Sequence, residues 1–261
     1  MPDDQASMYD PVFNQALQWM WGDGFLAPGG PEEVAELLSS VSVEGTRVLD
    51  IGSGLGAIDV LLTETHGARE VVGVDVEPHL IESSRQRVAA AGLADRVTYQ
   101  LVEPGPLPFD DGSFDVVFTK DAIVHIPEKA PFYAEVLRVL RPGGMFVGSD
   151  WLRGGPETFT DAARRWLEVV HLDFQMQDLA HTQEALETAG FENVSMRDRN
   201  DWYHRIINDE LAALRGERFD GLVKLIGEDQ AGYRLESSKL KKEVIDDGFL
   251  RPTHFVGYRP S

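Results

Sequence analysis

Nine residues constrain this chain more than any others: Val48–Gly56, VLDIGSGLG. The stretch reads as a short apolar strand, Arg47–Ile51, broken by glycines at 52, 54 and 56 and followed by a helical segment, Ala57–Thr65. Glycines at alternate positions allow a tight turn and let a ligand approach the backbone closely. The helix that follows offers free N–H groups and a partial positive charge at its start. A strand turning through glycines into a helix is the opening unit of a layered α/β fold.

The rest of the first 150 residues repeats the alternation. Strands are expected at Glu70–Asp75, Val97–Val102, Phe114–Thr119 and Met145–Ser149, and helices at His79–Ala91 and Lys129–Leu140. The last of these is stopped by Pro142-Gly143-Gly144. Apolar strands separated by helices of this length imply βαβ units and a parallel sheet. Ahead of them residues 10–40 read as two helices broken at Ala27–Gly30, with Pro31 well placed in a first helical turn. After Asp150, residues 152–180 suggest a helical insertion, Thr182–Ala189 a helix and Glu192–Arg199 a strand. Residues 208–240 look mostly helical, with Asn208 as N-cap, and 249–258 supply a last strand. The expected fold is a Rossmann-like, mostly parallel seven-stranded sheet with helices on both faces. A single domain is expected over 1–261: a helical cap (1–40), a cofactor-binding core (41–150), inserted lid elements (151–205 and 206–248) and a terminal strand (249–261).

Composition narrows the function. The chain has no cysteine, which excludes disulfides, thiolate chemistry and cysteine-based metal sites. Its histidines show no zinc-ligand spacing, so no metal is expected. A net charge of -20 repels nucleic acid and anionic membrane surfaces. No apolar run is long enough to span a bilayer, and MPDDQASMYD lacks the apolar region of a signal peptide, so a cytoplasmic location is expected. Only six of the 24 basic residues are lysine, a balance that suits a salt-adapted or simply an acidic protein.

Asp50 precedes the glycines in a D-x-G-x-G-x-G spacing, not the G-x-G-x-x-G of dinucleotide folds. An acid there would repel a pyrophosphate but can accept hydrogen bonds from the ammonium of an amino-acid moiety. This favours S-adenosylmethionine, with S-adenosylhomocysteine as product, and makes Asp50, Gly52, Ser53, Gly54 and Gly56 its cradle. Asp75 ends the second strand in GVD, where an acid can accept from both ribose hydroxyls. Val76 adjoins it, Glu103 at the tip of the third strand can accept from an adenine amine, and Lys120 ends the fourth strand. FDVVFTKDAIVHI and Arg141-Pro142-Gly143-Gly144 follow in order. Motif by motif, residues 47–150 resemble the class I methyltransferases.

KDAIVHI and YDPVFNQALQWMWGDGFLAPGG further resemble the phosphoethanolamine methyltransferases over about residues 9–150, and the same element is similar to the glycine–sarcosine–dimethylglycine methyltransferases. The resemblance implies a small-molecule amine as methyl acceptor. It also implies that Tyr9, on the N-terminal helix, hydrogen-bonds His125 and closes the site, with Asp121 near the amine. His125 and Asp121 are the candidate bases for an amine that must lose its proton. The chain departs from the phosphobase pattern where that family holds its phosphate. Trp151, Phe174 and Leu172 stand where polar ligands are expected, and Lys239 is only a shifted counterpart of a family lysine. Pro104, after Glu103, has no N–H to offer the adenine. Trp21, Trp151 and Phe174 are therefore expected to line the acceptor pocket, where an aromatic face suits a cationic amine. Trp166 and Trp202 are expected in the core. Two alternatives are a methyltransferase for a carbon, oxygen or sulfur nucleophile and a non-catalytic adenosylmethionine-binding protein.

Overall fold

The structure, a computed structural model, describes residues 9–170 and 174–261. Seven strands form one sheet: β1 (Arg47–Ile51), β2 (Glu70–Asp75), β3 (Val97–Leu101), β4 (Phe114–Lys120), β5 (Leu140–Arg153), β6 (Glu192–Asp198) and β7 (Leu250–Tyr258). Their spatial order is β3-β2-β1-β4-β5-β7-β6. The first five run parallel, and β7 lies antiparallel between β5 and β6.

The period-2 pattern of the strands explains why both sheet faces are covered. Val48, Val116, Phe118 and Val147 point to one face and pack under α2 (Gly30–Leu37), α3 (Ala57–Glu64) and α4 (Pro78–Ala90). Leu49, Val117 and Phe146 point to the other, under α5 (Lys129–Val139) and α7 (Leu179–Ala189). The expected Rossmann-like sheet with helices on both faces is the observed one. β1 has partners on both sides, pairing Asp50 with Gly73 of β2 and with Phe118 of β4. The strand order reverses at β1, and ligands of open α/β sheets sit at the carboxyl ends of strands around such a point.

A second group of helices lies beside this end of the sheet. α1 (Pro11–Trp21) packs on α9 (Gly216–Ile226), and α6 (Asp161–Val170), α8 (Asn200–Ala213) and α9 pack on α10 (Glu228–Asp246). α1 starts where Pro11 follows Asp10, whose carboxylate accepts from the N–H groups of Val12 and Phe13. No described helix is long and apolar enough to cross a membrane.

Boundaries differ from expectation at both ends of β5, which starts at Leu140 rather than Met145, and at α8. β5 runs on through Trp151 to Arg153 because β7 pairs with it along its length, with Trp151 opposite Pro252 and Arg153 opposite Leu250. Asn208 is no N-cap. α8 begins at Asn200, whose side chain donates to the carbonyls of Ile245 and Leu250, and Asn208 lies mid-helix with its amide donating to the His204 carbonyl. Tertiary hydrogen bonds set that helix start.

Phe146 is fully buried, edge-on to Phe255 at 4.9 Å and close to Phe191 and Tyr133. Phe146→Ala should lower unfolding stability by about 3–5 kcal/mol in urea titrations. A loss below about 1 kcal/mol would show that the two helical layers do not depend on this ring.

Candidate active site

The glycine turn is held from two sides. Gly52 and Ser53 both donate to the Val74 carbonyl. Gly54 N–H donates to Asp75 Oδ2 at 2.9 Å, and Glu77 N–H to Asp75 Oδ1 at 3.0 Å. Asp75 thus ties the turn to the start of α4. Burial raises its carboxyl pKa, and the N–H groups of Glu77 and Gly54 oppose that rise. Gly52 has φ +78°, and a Cβ there would lie 2.4 Å from the Ala122 side chain. At Gly56, with φ +79°, it would lie 2.5 Å from the Tyr99 hydroxyl. Only glycine fits either position. Gly56 is also the N-cap of α3 and offers no side-chain cap, so the helix N–H groups face the turn.

Under the turn lies a buried carboxyl pair. Asp50 and Asp59 face one another, with the Tyr99 hydroxyl beside Asp59. Burial pushes Asp50 well above the usual carboxylate range, and Asp59 up to about 7. Val76 and Glu103, at the ends of β2 and β3, are exposed to solvent.

The β4–β5 seam carries the second part of the site. Asp121 follows β4 in the left-handed region, φ 57°. Aspartate tolerates this conformation better than most residues, but it needs support from its surroundings. Here Ser149 Oγ donates to Asp121 Oδ1 at 2.8 Å, Lys120 Nζ sits 2.6 Å from Oδ2, and Asp121 N–H donates to the Ser149 carbonyl. Lys120, expected beside the cofactor, is buried and pairs with Asp121 at the end of the same strand.

A single 3₁₀ turn, Ile123–His125, follows. Asp150 Oδ1 accepts from Val124 N–H at 3.0 Å, and Lys129 Nζ donates to the Ile123 and Ile126 carbonyls at 2.6 and 2.8 Å. Burial pushes Asp150 up to about 7 against the pull of Lys129, and lowers the Lys129 pKa. Neither residue was singled out from sequence. The available signal was a charged residue at the end of an apolar strand and another at the start of an apolar helix.

The turn presents His125 to Tyr9, whose hydroxyl is 3.1 Å from His125 Nε2 with the rings edge to face. Burial raises the Tyr9 phenol pKa, helped by Asp75 and Asp121, so it stays protonated. The Tyr9 carbonyl accepts from Asn14 Nδ2 at 2.8 Å and lies 2.7 Å from His79 Nε2. Phe174 sits 5.5 Å from the His125 ring, and Gln175 N–H donates to the Val124 carbonyl.

Tyr9, Trp21, Asp121, His125, Trp151 and Phe174 line one cavity of about 90 Å³. All six expected catalytic and acceptor residues are thereby brought together. Leu26 joins the cavity to the glycine turn: it lines the space and packs within 3.3 Å of where a Gly54 Cβ would lie. Trp166, expected in the core, is fully buried yet also lines the cavity, stacked 6.5 Å from Trp151. Trp202 packs at the edge of the helical cluster. Leu172 falls outside the described residues. Lys239 is exposed and paired with Glu236, whereas Lys241, two residues on, is buried and lines the cavity. Arg234 and Ser237 line it as well.

A sequence profile described as "Methyltransferase domain" matches residues 49–148. A phosphoethanolamine N-methyltransferase of Arabidopsis thaliana is 28% identical over 211 residues, 80% of this chain and 42% of that protein. The chain thus spans less than half the length of that relative. The phosphoethanolamine N-methyltransferase 2 structure of Haemonchus contortus, solved with S-adenosyl-L-methionine, superposes with a TM-score of 0.90 at 23% identity. It covers 98% of this chain and 59% of that one. A putative sarcosine dimethylglycine methyltransferase of Galdieria sulphuraria gives 0.76 at 21% identity, covering 88% and 84%. These superpositions establish the shared fold. The profile match makes residues 49–148 a methyltransferase domain.

Asp59 gives a pH-dependent prediction. A free carboxyl titrates near 4. Between about pH 4 and 7 the unfolded chain has released this proton while the folded chain keeps it, so stability falls as pH rises across that window. Asp59→Asn should remove part of that slope. Denaturation at pH 5 and pH 8 should show the wild type losing on the order of 2 kcal/mol more than the variant. Equal losses would mean that Asp59 is ionised in the fold at both pH values.

Proposed function

We propose that this chain is an N-methyltransferase for a small-molecule amine of the phosphoethanolamine or sarcosine/dimethylglycine kind. The observation that carries the reading is the convergence of Tyr9, Asp121 and His125 on one aromatic cavity beside the glycine turn. The names of the phosphoethanolamine and sarcosine dimethylglycine methyltransferases among the similar proteins point the same way. In this reading residues 1–40 cap the site, 151–205 and 206–248 cover the acceptor, and the whole chain works as one unit.

Adenosylmethionine, when bound, supplies a sulfonium-activated methyl group. The residues present fit it. Positive φ at Gly52, Gly54 and Gly56 turns the backbone tightly, and the uncapped N–H groups of α3 face that turn. The Asp50 carboxyl lies beneath that turn for the amino-acid end, and Asp75 and Val76 stand beside it for the ribose. The exposed Glu103 is left to meet the adenine rim.

His125 takes the proton of the acceptor amine on its imidazole. Tyr9 fixes the ring through Nε2 and, as a neutral phenol, screens the site from water. The Asp121 carboxylate is held by Lys120 and Ser149, so it orients the ammonium while His125 acts as base. Trp21, Trp151 and Phe174 form the wall against which the methylated nitrogen packs.

The test is to incubate the chain with adenosylmethionine and phosphoethanolamine, sarcosine or dimethylglycine, and identify products by mass spectrometry. An N-methylated product is expected. Transfer only to oxygen, carbon or sulfur acceptors would replace this reading with the alternative that an apolar pocket also allows. His125→Ala should lower kcat at least about 100-fold and leave adenosylhomocysteine affinity within about threefold by calorimetry, since a general base contributes on that scale without touching the cofactor. Tyr9→Phe should lower kcat about tenfold, the effect of loosening an oriented base. Loss of cofactor affinity in His125→Ala would overturn the assigned role.

A further inference from the structure

Two cations on α10 reach the acceptor cavity, and only one is available to a ligand. Lys241 is satisfied within the protein. Its Nζ lies 2.6 Å from Glu210 Oε2, and Glu210 Oε1 accepts from Trp21 Nε1 at 2.8 Å. Glu210 and Lys241 are both buried, so this pair stays closed. Seven residues earlier, two turns along the same helix face, stands Arg234.

The Arg234 guanidinium lies 4.0 Å over the Phe13 ring. Burial lowers its pKa, an effect only partly offset by Tyr233 and, at longer range, Asp10. Among the described residues no carboxylate comes within ion-pair distance of it. A half-buried guanidinium stays charged and presents five N–H donors, so it calls for an anion. At the other end of the cavity, the Asp121 charge is matched by Lys120. With His125 neutral, as a base must be, the unmatched fixed charge around the space is one positive unit, on Arg234.

We infer that Arg234 receives a single carboxylate of the acceptor, which makes the acceptor an amino-acid-type amine. The inference rests on the amine reading above and narrows it. One guanidinium matches a carboxylate in charge and, by its fork, in shape. A phosphate dianion would need a second cation, and Glu210 already holds the only other one on this helix face. Two rings, Phe13 and Tyr9, lie between Arg234 and the proposed base, His125. The length of the acceptor between carboxylate and nitrogen is therefore a variable of the test.

The probes are sarcosine, 4-(methylamino)butyrate, the amides of both, and phosphoethanolamine. Each is titrated calorimetrically into the full chain saturated with adenosylhomocysteine, for wild type, Arg234→Gln and Arg234→Lys. At least one carboxylate should bind the wild type at least tenfold more tightly than its amide. Arg234→Gln should abolish that preference and Arg234→Lys restore part of it, with adenosylhomocysteine affinity and Tm unchanged as evidence of an intact fold. Glu210→Gln should raise phosphoethanolamine affinity by freeing Lys241. Equal binding of acids and amides, no binding of either acid, or an Arg234-dependent preference for phosphoethanolamine over both acids would overturn the inference. Methyl transfer to the same probes is scored separately. Arg234-dependent carboxylate binding without methylation of any amine would overturn the amine reading and leave this one standing.

Discussion

The catalytic side of this molecule depends on a clamp of buried charges at the ends of β4 and β5. Asp121 leaves its strand with a left-handed backbone that few residues accept. Lys120 and Ser149 hold its carboxylate, while Asp150 and Lys129 hold the backbone of the next turn at Val124, Ile123 and Ile126. Each of these ionisable groups is too buried to stand alone, and each finds a partner close by. The result is a stiff step from sheet to 3₁₀ turn that aims His125 at the cavity.

The same logic accounts for the contrast between surface and interior. A chain of net charge -20 surrounds its cavity with an unpaired guanidinium and a paired lysine. The excess of acid is largely a matter of the solvated surface, where charges are screened over roughly 8–10 Å at ordinary ionic strength. Burial makes the few interior cations count for more, because water no longer screens them.

Much of the cofactor side was legible from sequence because it depends on backbone and spacing. Glycines at 52, 54 and 56 and the acid that ends β2 have few other readings, and the two-residue period of the strands gives both faces of the sheet. The acceptor side was legible in part. Tyr9 and His125 meet across 116 residues of sequence, and only the family likeness foretold it. The lysines were not separable: 239, 241 and 242 stand almost together, and which one enters the cavity is decided by the face that α10 turns toward Trp21 and Glu210. Trp151 was placed just beyond its strand because the pairing partner that extends β5 lies a hundred residues downstream.

The N-terminal helix joins the two halves by bonds from both its ends. Asp23, past its C-terminus, pairs with both Arg87 terminal nitrogens at 2.7 and 3.0 Å, and Arg87 Nε donates to the Leu55 carbonyl in the glycine turn. Tyr9, before its N-terminus, reaches His79 through its carbonyl and His125 through its hydroxyl. His79 and Arg87 lie on the same helix, α4, whose start is fixed by Asp75. A displacement of the glycine turn would therefore be transmitted through α4 to both ends of α1, and so to the residue that orients the proposed base. The glycine turn and His125 are both tied to α1 through this one helix, so the two halves of the site share a single frame.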